Sequence, residues 1–65
     1  MPTAPPGPEL SSLASSLDQV AQRVTAIADE HAHTPREDVA HELYEIERVL
    51  QAALRRLEKL VTKLR

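Results

Sequence analysis

The sequence contains no cysteine, a single glycine, a single aromatic residue and no long hydrophobic run. Without cysteine the chain can form neither a disulfide framework nor a thiolate metal site, so its stability must come from packing. Gly7 alone cannot build a glycine-rich loop that cradles phosphate. No stretch approaches the roughly 20 apolar residues of a membrane span, and the N-terminus lacks the basic start and apolar run of a signal peptide. We therefore expect a cytoplasmic protein.

Length and charge narrow the class of protein further. A chain of 65 residues forms one small unit, close to the size at which a lone hydrophobic core becomes marginal, and this favours self-association. A formal net charge of −2 argues against general nucleic-acid binding by the whole molecule. A local basic patch stays compatible with that charge.

Prolines and a short polar segment divide the chain. Four of the five prolines lie in residues 2–8, where missing amide donors and fixed φ angles favour an extended tail. The helical pattern then begins with Leu10, and Thr34 resembles an N-cap, followed by Pro35 at the first helical position and Glu37 reaching back to the cap amide. The prediction is a tail at 1–8 and a helical hairpin at 9–65, with helix 1 at 9–32, a turn at 33–34 and helix 2 at 35–65.

Apolar residues recur in both predicted helices at alternating steps of three and four, which keeps them on one side of a helix. A column of alanines at Ala14, Ala21 and Ala28 would let another helix approach closely. In helix 2 the apolar columns are too wide for one neighbouring helix to cover. The predicted fold is therefore all-α, an antiparallel two-helix hairpin that dimerises into a four-helix bundle. The residues expected in the core or dimer interface are Leu13, Leu17, Val20, Val24, Ile27, Leu43, Ile46, Leu50, Leu54, Leu57, Leu60, Val61 and Leu64.

Charge is distributed unevenly along helix 2. Residues 29–47 carry a net charge of −6 and residues 55–65 a net charge of +4. Two antiparallel copies would place acidic ends beside basic ends. The same distribution also places acids near the start of helix 2 and bases near its end, where each interacts favourably with the helix macrodipole. The sequence leaves both explanations open.

Candidate chemical groups are few. The serines at positions 11, 12, 15 and 16 have no neighbouring histidine to activate them. His31, His33 and His41 lie among acids near the turn and could bind a divalent metal ion only if several of them converged, but their spacing matches no metal signature. We expect no enzyme activity, no metal and no cofactor.

The expected function is that of a non-enzymatic protein–protein interaction module, an adaptor or regulatory protein acting as a homodimer. Its partners would be further copies of itself, in a dimer or higher oligomer, or another protein. The alternative is a nucleic-acid-associated or transcription-regulatory accessory protein that contacts phosphates through a basic C-terminal segment. The bases of that segment are Arg55, Arg56, Lys59, Lys63 and Arg65.

Overall fold

Two helices joined by a short turn make up the computed structural model, which describes residues 6–64. Helix α1 spans Pro6–His31 and helix α2 spans Glu37–Lys63, and the two helices pack against each other. The described part of the chain contains no strand. The predicted all-α two-helix hairpin is confirmed. Within residues 6–64, neither helix is long and apolar enough to cross a membrane.

Helix α1 begins earlier than the sequence pattern indicated, at Pro6 instead of residue 9. The first four amides of a helix have no intrahelical acceptor, so Pro8 loses no hydrogen bond by lying in the first turn. Its φ angle is also already close to the helical value. Of the predicted tail at 1–8, residues 6–8 are therefore helical, while residues 1–5 lie outside the described residues.

The start of α2 also differs from the prediction. The helix begins at Glu37 and is flanked by Arg36, which has φ −101° and ψ 36° and makes no side-chain capping bond. The helix therefore begins two residues after Pro35, the predicted first helical residue, and Arg36 occupies the capping position predicted for Thr34. Thr34 instead links the helix ends, because its Oγ1 donates to the carbonyl of His31 at 2.9 Å and accepts from the amide of Arg36 at 3.1 Å.

The position of Thr34 after the end of α1 explains this arrangement. His31 is the last residue of α1, and its carbonyl is one of those that a helix end leaves without an intrahelical partner. A threonine hydroxyl three residues later satisfies that carbonyl. The amide of Glu37 bonds the carbonyl of Thr34 at 3.2 Å, which closes a separate turn before α2 starts.

Most of the residues that are buried between the helices have small side chains. Ala21 and Ala28 have no exposed surface, and in both helices the buried positions recur at steps of seven or multiples of seven. The predicted close approach at the alanine column therefore occurs within the hairpin itself, against α2. The buried residues are Ala14, Ala21 and Ala28 of α1 and Ala40, Leu54 and Val61 of α2.

Larger apolar side chains are less well covered. Among the described residues no large side chain is fully buried. Leu50 and Leu57, which belong to the leucine column of α2, are only half-buried. Full burial of a leucine contributes about 1.5 to 3 kcal/mol relative to exposure. A single hairpin therefore gains only part of the stabilisation that its leucines can provide.

Candidate functional site

A strip of accessible apolar side chains along one side of the hairpin is the candidate functional site. Its members recur at steps of seven in α1 and within the same heptad pattern in α2. We call this strip the apolar face. It consists of Leu13, Val20 and Ile27 from α1 and Ile46, Leu60 and Leu64 from α2, each between 41% and 56% exposed.

Helix geometry places both halves of the apolar face on the same side of the molecule. Leu13, Val20 and Ile27 each precede a buried alanine by one residue, which is a rotation of about 100° around α1. In α2, Leu60 precedes the buried Val61 in the same way. Because the two helices run antiparallel, a residue that precedes a buried contact residue by one position lies on the same side of the hairpin in both helices.

The opposite side of the hairpin is polar. A groove there runs between the helices, lined by hydroxyl, amide and carboxylate groups above the buried Ala14 and Leu54. The hairpin as a whole is therefore amphipathic, with one polar and one apolar side. The polar groups lining the groove belong to Ser11, Ser15, Asp18, Gln51, Glu58 and Thr62.

The exposed area of the apolar face is similar to that of known interaction surfaces. Its six side chains, at roughly 80 Å² each, expose roughly 500 Å², which is near the upper range for the largest apolar patch of a typical monomer. Val49, 67% exposed, extends the patch at its edge. The half-buried leucines beneath bring the accessible apolar area towards the roughly 800 Å² that each partner contributes to a standard interface.

The structure separates the predicted core and interface residues into two groups. Leu54 and Val61 are buried between α1 and α2. All others remain accessible, so their place in a dimer interface stays a prediction. Besides the apolar face, the accessible group contains the half-buried Leu17, Val24, Leu43, Leu50 and Leu57.

A hydrogen bond between the helices lies near the turn. The hydroxyl of Tyr44 donates to Oδ1 of Asp29 at 2.5 Å. This bond to the carboxylate, followed by partial desolvation and the charge of Asp29, raises the pKa of Tyr44 above its ordinary value. The sequence pattern gives no signal for this partner, which lies fifteen positions away.

The turn end of the hairpin is acidic and exposed. Arg36 Nε bonds Asp38 Oδ1 at 3.3 Å, and this bond lowers the pKa of Asp38 below its ordinary value. Farther along α2, Arg48 Nη1 lies 3.3 Å from Glu45 Oε1. Glu30 and Glu42 have no ion-pair or hydrogen-bond partner among the described side chains. The exposed acids are Asp29, Glu30, Glu37, Asp38, Glu42 and Glu45.

The open end of the hairpin carries the predicted basic patch. Arg55, Arg56, Lys59 and Lys63 are all exposed on the last turns of α2. None of the four lies within ion-pair distance of a described acidic side chain. Arg65, the last member of the predicted patch, lies outside the described residues.

The three histidines near the turn do not form a site together. His31 Nδ1 lies 2.9 Å from the carbonyl of Ile27 at the end of α1. His41 Nε2 lies 3.9 Å from Glu37 Oε1, one turn away on α2, and His33 is exposed in the turn. Across residues 6–64, no three histidine or acidic side chains are arranged to hold a metal ion.

The chain was compared with protein-family models, curated proteins and solved structures, and none of them matches it.

Proposed function

We propose that this chain is a non-enzymatic self-association module, in which the apolar faces of two copies pack together to form a homodimeric four-helix bundle. In the cell it would act as a cytoplasmic adaptor or regulatory protein, and its dimer would be the functional unit. The proposal assigns no catalytic role, because among the described residues the polar groove between the helices holds no histidine that could activate its serines.

The exposed apolar face is the observation that carries this proposal. In the single hairpin the best-buried residues are mostly alanines, while leucines, isoleucines and valines on the apolar face remain between 41% and 56% exposed. Alanine burial removes little apolar area from water. A chain of 65 residues needs more apolar burial than this to offset the conformational entropy of folding. Packing against a second copy supplies that burial.

Analytical ultracentrifugation of a matched pair of variants tests the proposal. Val20→Glu places a carboxylate in the middle of the apolar face, whereas Gln19→Glu adds the same charge one residue away, at an exposed position outside the face. Burying an unpaired carboxylate costs several kcal/mol. We expect the wild type and Gln19→Glu to sediment as dimers at micromolar concentration. Val20→Glu should raise the dissociation constant at least about 100-fold.

Circular dichroism at the same concentrations completes this test. Because a lone hairpin buries little apolar surface, Val20→Glu should also lose helicity under conditions where Gln19→Glu keeps it. A well-folded wild-type chain of monomer mass would contradict the proposal. Equal association of the two variants would show that the apolar face is not the interface.

The free basic end supports a second candidate function, binding to nucleic-acid phosphates. Arg55, Arg56, Lys59 and Lys63 have no described ion-pair partner within the chain, and such bases bind phosphates by releasing counterions. Fluorescence anisotropy with a labelled duplex at low and at moderate salt tests this candidate. Affinity that falls steeply with added salt, and that disappears in Arg56→Glu/Lys59→Glu, would favour it over a purely self-associating module.

A further inference from the structure

Six of the exposed charged residues of α2 are related by a reversal of the helix about its midpoint. A two-fold axis that passes between Leu50 and Gln51 exchanges each early residue of α2 with a late one. Three of these exchanges bring an acid to the position of a base, and all six residues of those three pairs are exposed. The exchanged pairs are Asp38 with Lys63, Glu42 with Lys59 and Glu45 with Arg56.

Three of these six charged residues border the apolar face. Glu42 lies one helical turn before Ile46, and Arg56 and Lys63 lie one turn on either side of Leu60. Glu42, Val49, Arg56 and Lys63 recur at steps of seven, so one column runs from an acid through an apolar residue to two bases. In coiled coils, charged residues that flank the apolar seam set the orientation of the partner helices. This column lies in the corresponding position beside the apolar face, and we call it the rim of α2.

We infer that the two hairpins of the dimer are antiparallel, with the turn of one copy at the open end of the other, and that α2 packs directly against α2 of the partner. This inference rests on the proposed self-association and specifies its geometry. The acidic rim of each α2 then lies beside the basic rim of its partner. The apolar Val49, near the midpoint, then meets its own copy.

The parallel arrangement places like charges together. If both turns were at the same end of the bundle, α2 would face α1 of the partner. The acids Asp38 and Glu42 would then approach Asp29 and Glu30, and the two sets of bases would gather at the other end. Like-charge contacts across an interface disfavour that orientation.

Orientation also bears on the second candidate function. In the antiparallel dimer each basic end lies against acids of the other copy, which leaves little free charge for phosphates. A parallel dimer would present two basic ends side by side, a stronger phosphate-binding surface. We therefore expect the antiparallel dimer to bind nucleic acid weakly even at low salt.

Distances between spin labels in the full chain decide the orientation. The chain has no cysteine, so a label attaches only at an introduced one. His33→Cys places the label in the exposed turn, and Ala52→Cys places it at an exposed position near the middle of α2. At 1.5 Å rise per residue, turn labels should lie about 40 to 50 Å apart in the antiparallel dimer and within about 25 Å in a parallel one. Labels at residue 52 should lie within about 30 Å in either dimer.

Comparing the two label positions distinguishes a dimer of the parallel orientation from the absence of a dimer. Short distances at both positions would overturn the antiparallel inference and leave the proposed dimer standing. No measurable distance at position 52, together with a monomer mass, would overturn both. A long distance at position 33 with a short one at position 52 is the expected result.

Charge reversal tests the cause of the orientation. Glu42→Lys/Glu45→Lys and, separately, Arg56→Glu/Lys59→Glu should each weaken dimerisation by about 10-fold at low salt, since exposed ion pairs are weak and screened. The four-residue combination restores opposite charges across the interface, so it should recover part of the affinity. Additive losses without recovery at low salt would show that these charges do not direct pairing.

Discussion

Enlarging Ala21 is the most direct test of the helix–helix contact. This residue has no exposed surface and lies midway along the buried alanine column of α1. Ala21→Leu adds an isopropyl group where α2 approaches closely, so α2 must move outwards or the new side chain must take a strained rotamer. Overpacking of this kind costs about 1 to 3 kcal/mol. In a chain of this size the midpoint of thermal unfolding should fall by about 4 to 20 °C.

The matched control is the same substitution at an exposed position of the same helix. Ala26 is exposed on α1, and alanine and leucine have similar helix propensities. Ala26→Leu should therefore change the free energy of unfolding by no more than about 0.5 kcal/mol. Thermal unfolding followed by circular dichroism should compare the two variants at one fixed concentration, because association contributes to apparent stability.

Equal melting temperatures for Ala21→Leu and Ala26→Leu would refute the alanine-mediated contact. A higher melting temperature for Ala21→Leu would show instead that a cavity lies beside Ala21 and that the helices are farther apart than the structure shows. Either result would require a different pairing of columns between α1 and α2.

Three further predictions concern other parts of the hairpin. Leu57→Ala should cost about 2 to 5 kcal/mol, because the half-buried Leu57 would be enclosed in the proposed dimer, and a loss of only a few tenths would place it outside any interface. Thr34→Ala should cost about 1 kcal/mol, since water partly replaces its two hydrogen bonds; a cost matching that of Leu57→Ala would mean that the turn is itself buried. Asp29→Asn should lower the raised pKa of Tyr44 towards its ordinary value of about 10, read from phenolate absorbance, and an unchanged titration would refute their bond. Because the folded-state pKa of Tyr44 is raised, the stabilisation from this bond should be fully present below about pH 10 and lost as the pH rises through the raised value.

The sequence was sufficient to predict the existence and type of both helices. Long apolar periodicity with a single interior break specifies two helices and a short connection. Helix ends were harder to predict because one residue can serve two elements. Thr34 has the chemistry of an N-cap for α2, yet its hydroxyl bonds the last carbonyl of α1. Pro8 suits the first helical position but is equally tolerated two residues inside the helix, where its missing amide has no acceptor to lose.

In the candidate site, too, the sequence was sufficient to predict some features and not others. The acidic turn end and the basic open end are visible in the sequence, because helical order alone places them at opposite ends of α2. The bond from Tyr44 to Asp29 was not visible, since it depends on how far α1 and α2 are rotated and shifted against each other. Val49 was also missed, although its position seven residues after Glu42 and seven before Arg56 marks it as part of the rim.

The sequence could not decide which apolar column of α2 faces α1, and under the proposed self-association that choice would couple folding to association. Had the leucine column packed inside the hairpin, the single chain would bury its largest side chains and leave alanines outside. In the structure the column of α2 that faces α1 contains Ala40, Leu54 and Val61. In α1, Ala21 and Ala28 are fully covered, while the larger apolar side chains that directly precede the buried alanines remain between 44% and 56% exposed. Small side chains let two helices approach closely but contribute little apolar area. The larger side chains are thereby left accessible, and under the proposed self-association most of the stabilisation available to this chain would be gained only when a second copy covers them.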